Sequence, residues 1–132
     1  MDFNVNALDK TLSNLGDVYT REMFMYDMVI NDKISDLDLR DSIANWLLDN
    51  HGDMNKANFG GAMAVLSVMS WAGGDKKSMK RCSIIATDCE SNLGSLVIHA
   101  YLQGLPFDIF RMIIIKAGEN HMIGAVSDRE VQ

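Results

Sequence analysis

The sequence predicts an α+β fold: helical through its first two thirds, then a strand, a helix and a hairpin that form a small, mainly antiparallel sheet. Three observations carry this. Apolar residues up to about position 73 recur at helical spacing, residues 82–86 and 107–116 form short apolar runs, and the turn-rich segment 117–120 separates the second run from another apolar stretch. With 132 residues and 48% of them hydrophobic, the chain is long enough to bury a core as one domain, 1–132.

Leu8, Leu12, Leu15 and Tyr19 follow one another at steps of four, three and four, which places them on one face of a helix. Asn6 is a candidate cap, and the pattern continues through Phe24 and Met28 to Ile30 as one long helix or two joined near Gly16. Asn31, Asp32 and Lys33 break it with turn chemistry. In the second helix Ser35 with Asp38 resembles a capping box, Leu39, Ile43, Trp46 and Leu47 share a face, and Asn50, His51 and Gly52 end it.

A third helix begins near Asp53 or Asn55 and turns Phe59, Ala62, Met63, Leu66 and Met69 inward. Its small residues Gly60, Gly61, Ala62 and Ala64 predict close packing by another element, since a glycine pair without a preceding strand is no phosphate loop. Trp71, Ala72, Gly73 and Gly74 end that helix, and the basic segment Lys76, Lys77, Lys80 and Arg81 follows as a solvated loop.

From Cys82 the expected period changes. Residues 82–86 read as a buried strand, and Thr87 or Asp88 then caps a helix to about Gln103 with Leu93, Leu96, Val97, Ala100 and Tyr101 inward. Gly104, Leu105 and Pro106 close it. Phe107 to Lys116, apolar on both alternating faces around Met112 and Ile115, reads as a central strand, and His121 to Val126 as its antiparallel partner. The chain thus divides into a helical part, 1–73, and a strand, helix and hairpin part, 82–127.

Composition narrows the function. The net charge is −6, and residues 1–55 hold eleven acids against four bases, which opposes general nucleic-acid binding; the basic patch at 76–81 is the exception. No cofactor motif is present, and Cys82, His99 and His121 lack zinc-ligand spacing. Two cysteines without a disulfide pattern, no secretory signal and no membrane span predict a soluble cytoplasmic or intracellular protein.

Asp88-Cys89-Glu90 at an expected helix start, Gly104-Leu105-Pro106 closing that helix, and Gly118-Glu119-Asn120-His121 before an apolar stretch carry chemistry if they belong together. A thiol at a helix N-terminus sits where backbone N–H groups favour its anion. Over about residues 87–127 these motifs resemble the transglutaminase-like branch of the papain-like cysteine proteinase superfamily, in particular its bacterial members. The resemblance implies Cys89 as nucleophile, His121 as its base and Asp128 as the orienting acid of a thiol hydrolase or acyltransferase acting on amide bonds. Asp128 falls ahead of where that family's acid-bearing strand would begin, so an incomplete, inactive triad stays open.

The alternative is a non-catalytic assembly or interaction module with a protein or peptide partner or a second copy of itself. The ten methionines and the apolar stretch at 107–116 motivate it, and a small structural or accessory protein of a phage or virus would suit.

Overall fold

The computed structural model describes the backbone of residues 5–131 and the side chains of residues 8–124, and among them every regular element is a helix. In chain order these are α1 (Val5–Leu12), α2 (Val18–Ile30), α3 (Leu37–Asn50), α4 (Lys56–Ala72), α5 (Lys76–Asp88), α6 (Asn92–Leu102) and α7 (Phe107–Val131), with a 3-10 turn at His51–Asp53.

The helices start by one local rule. Asp17, Asp36, Asn55, Asp75 and Ser91 stand just before α2 to α6, and each side chain accepts a hydrogen bond from the backbone N–H three residues on. That bond satisfies a donor which the first turn leaves without an intrahelical partner.

Helices α2, α4, α5 and α6 also end alike, each with a left-handed residue just past the helix: Asp32 (φ 59°), Gly74 (φ 78°), Glu90 (φ 63°) and Gly104 (φ 79°). In each case the next residue's N–H reaches back five positions, as in Ser91 to the Ala86 carbonyl (2.9 Å) and Leu105 to the Ala100 carbonyl (3.0 Å). These are Schellman endings, and only two of the four use glycine.

Helix α4 occupies the centre. Its sequence has no charged residue between Lys56 and Asp75, and Gly60, Gly61, Ala62 and the run from Ala64 to Trp71 are buried, the pattern of a helix covered on nearly all sides. Helices α3, α5 and α6 pack on it, and the Trp71 ring meets Phe107 and Phe110 of α7 at centroid distances of 5.5 and 5.2 Å. The close approach expected at the small residues is present. A Cβ on Gly61 would collide with the Leu15 carbonyl, and one on Gly60 would lie 2.7 Å from the Cys89 Cβ. Helix α7 lies against α2, where the Tyr26 ring fills the space that a side chain on Gly118 would take.

The α+β expectation is overturned, because no strand or sheet occurs among the described residues. Residues 82–86 belong to α5: Met79, Ser83 and Ala86 are buried at steps of four and three, while Ile84 and Ile85 are 57% and 40% exposed. A buried strand would have covered both isoleucines. The basic segment, expected as a loop, forms the first turns of the same helix. The helix expected from residue 87 or 88 instead begins at Asn92, and Leu96, expected inward, is 50% exposed.

The expected strand pair at 107–116 and 121–126 is a single helix, α7. Phe110 and Ile114 point into the core, whereas Met112 and Ile113 are 64% and 50% exposed, so one side of this segment is covered and not two. A short apolar run has the same composition in a buried strand and in a helix, and β propensity yields to packing that supplies a partner every third or fourth residue.

Candidate functional site

The cysteine of the expected nucleophile does not open a helix. Cys89 is the C-cap of α5, where its N–H points back to the carbonyls of Ile85 and Ala86 (both 3.1 Å), and α6 starts three residues later with Ser91 as its cap. The thiol therefore stands between the carboxyl end of one helix and the amino end of the next, and the premise of a single favourable helix terminus no longer holds.

Cys89 borders a cleft of about 330 Å³ with Arg21, Lys56 and Ser91. Arg21 donates to the Leu15 carbonyl at 3.3 Å, its Nε has no hydrogen-bond partner, and burial pushes its pKa down. Lys56 pairs with Glu90 at 3.5 Å across the rim.

His121 lies on α7 with different company. Its Nε2 is 3.4 Å from Glu22 Oε2, and its ring meets Tyr19 edge-on at 5.0 Å. Successive residues of α2 thus serve the two sites separately: Arg21 lines the cleft that Cys89 borders, and Glu22 pairs with the His121 imidazole. Among the described residues no hydrogen bond joins Cys89 to His121. Asp128 falls in α7, and its side chain lies outside the described residues.

The other candidates have local structural partners. His51 Nδ1 approaches the carbonyl oxygens of Leu47 and Leu48 (3.1 and 3.2 Å) at the end of α3, and His99 Nδ1 that of Ser95 (2.7 Å). Cys82 lines an apolar cleft of about 410 Å³ with Leu47, Leu48, Phe59, Met63 and Leu66, and burial pushes its thiol pKa up. Among the described residues no cluster of three or more metal-ligating side chains occurs, and none of their helices is long and apolar enough to cross a membrane.

One surface takes a different form from the one expected, since the apolar stretch at 107–116 lies on a helix and not on a strand. Phe110, Ile114 and Gly118 form the buried side of α7. On the opposite side Ile109, Met112, Lys116, Glu119 and Ile123 follow at steps of three and four, all exposed, with Ile123 61% accessible. Ile109, Met112, Lys116 and Glu119 border a surface depression of about 570 Å³ with Ile113 and Ile115. The signal was in the sequence as a heptad-like spacing, but reading 107–116 as a strand concealed it.

No family model matches the chain, and no curated protein or solved structure matches it.

Proposed function

We propose that this protein is a non-catalytic assembly module that self-associates through the outward face of α7. The observation that carries this is the row of exposed Ile109, Met112 and Ile123 along one helix, directly opposite the side that packs on the core. Single exposed apolar residues need no explanation. Several aligned along one helix favour association, because pairing removes all of them from water at once.

A second copy is the simplest occupant. A two-fold axis brings the same stripe from both chains together, so each copy supplies the surface that the other lacks. One helical stripe belongs to the small class of interfaces, below about 1,200 Å² in total, so the dimer is a weak one.

Sedimentation equilibrium across a wide concentration range tests this. The expected result is a monomer–dimer equilibrium that shifts to monomer in Met112→Glu, with unchanged circular dichroism. A wild-type protein that stays monomeric at the highest concentrations would remove the proposal.

A further inference from the structure

We infer that two copies pair antiparallel through α7 in one register, with Lys116 of each chain facing Glu119 of the other; this rests on the self-association proposed above. The positions Ile109, Met112, Lys116, Glu119 and Ile123 alternate as the a and d positions of a heptad, a at 109, 116 and 123 and d at 112 and 119. The stripe is apolar at its flanks and charged at its centre, with one cation and one anion. Both charges are exposed, and neither has an ion-pair partner among the described residues.

That arrangement selects among the available pairings. In a parallel pair like positions meet, so Lys116 would face Lys116 and Glu119 would face Glu119, and like charges across an interface disfavour it. An antiparallel pair sets a against d. Shifting it one heptad towards the amino end puts Lys116 against Met112 and Glu119 against Ile109. Shifting it one heptad towards the carboxyl end puts Glu119 against Ile123. Both shifts press a charge onto an apolar side chain and leave it without a partner.

Only the register between them matches every group from Met112 to Ile123. Met112 then meets Ile123, Lys116 meets Glu119, and the two-fold axis repeats both contacts. The axis passes level with Ala117 and Gly118, and Gly118 faces Tyr26 of its own chain, so the centre of the interface stands over a close contact between α7 and α2. The charged pair lends little affinity at a partly wet interface; its effect is to specify orientation.

Two experiments on the full chain test the register. Lys116→Glu and Glu119→Lys should each weaken dimerisation about tenfold by placing two like-charge contacts in the interface, and the double reversal should restore affinity to within about threefold. Cross-linking with a short bis-maleimide settles orientation. A mixture of Met112→Cys and Ile123→Cys chains should yield the mixed product joined at 112 and 123 in peptide mapping, and Met112→Cys alone should yield little product joined at 112. Both substituted positions are exposed, and circular dichroism verifies that each variant folds.

A dimer that joins Met112→Cys to itself, or whose affinity ignores both charge reversals, overturns the register and leaves self-association standing. A monomer at every concentration overturns both.

Discussion

The hydroxyl oxygens of Ser67 and Ser83 lie 2.8 Å apart, both fully buried, where α4 and α5 pack against each other. Each is the hydrogen-bond partner that the other would lack in this apolar setting, and Met79 Sδ at 3.9 Å is a weak substitute for Ser83. Ser67→Ala or Ser83→Ala alone is expected to cost about 1–3 kcal/mol, because the remaining hydroxyl stays buried with its partner gone. Removing both should cost less than the sum of the two. Urea denaturation of the three variants checks this, and strict additivity would count against the pair.

Glu90 is held at φ 63°, a conformation that costs a side-chain-bearing residue about 1–2 kcal/mol relative to right-handed backbone. Glycine removes that strain but makes the unfolded chain more flexible, so Glu90→Gly is expected to stabilise by a net of about 0.5–1 kcal/mol. The Lys56 ion pair that is lost subtracts little, since the Glu90 side chain is 83% exposed. A rise in the thermal midpoint is the expected reading, and a fall would mean that Glu90 makes a contribution beyond its backbone.

Asp17, Asp36 and Asp75 all have pKa values held below the usual carboxylate range, in each case chiefly by the backbone N–H that the carboxylate caps, from Thr20, Leu39 and Ser78 respectively. Lys33 beside Asp36 and Arg40 beside Asp75 add to this. A carboxyl whose folded pKa is lower than its unfolded one contributes stability above the unfolded value, about 3.9, and loses it as pH falls through the folded value. Stability should therefore decline as pH is lowered below about 4. A chain carrying D17N, D36N and D75N keeps three capping oxygens without three of the titrations, and its stability should vary less steeply over that range.

The two thiols differ in what is expected of them. Burial raises the Cys82 pKa, with Asp75 adding to the rise and Arg40 opposing it, so less thiolate is present near neutral pH than in the unfolded chain. Iodoacetamide should label Cys82 more slowly in the native protein than in urea, with the difference narrowing as pH climbs past the raised value. The same experiment bears on acyl transfer through Cys89. A nucleophile must react faster in the folded chain than in the unfolded one at neutral pH, and a rate at or below the unfolded one would exclude that chemistry.

The helices up to Trp71 were legible because their apolar faces repeat at three and four, and Gly104 with Pro106 announced the end of α6 openly. The end of α5 was hidden because Glu90, and not glycine, takes the left-handed position there. Without that marker Cys89 reads as the first residue of a helix, although it is the cap of the one before, and the motif built on it inherits the error in placement. In α7 the segment Ala117-Gly118-Glu119-Asn120 resembles a turn, yet Gly118 is there for Tyr26, a contact between residues ninety-two positions apart that local spacing cannot reveal.

Trp71 meets Phe107 edge-on at 72° and Phe110 at a tilt of 46°, so its indole is shielded by two rings that both belong to α7. Trp46, the only other tryptophan, sits on α3 and makes no ring contact with α7 among the described residues. If α7 swings away, the Trp71 indole meets water and its emission moves to the red, while that of Trp46 changes little. The chain therefore carries its own optical gauge, a fluorophore whose colour reports whether the last helix is seated.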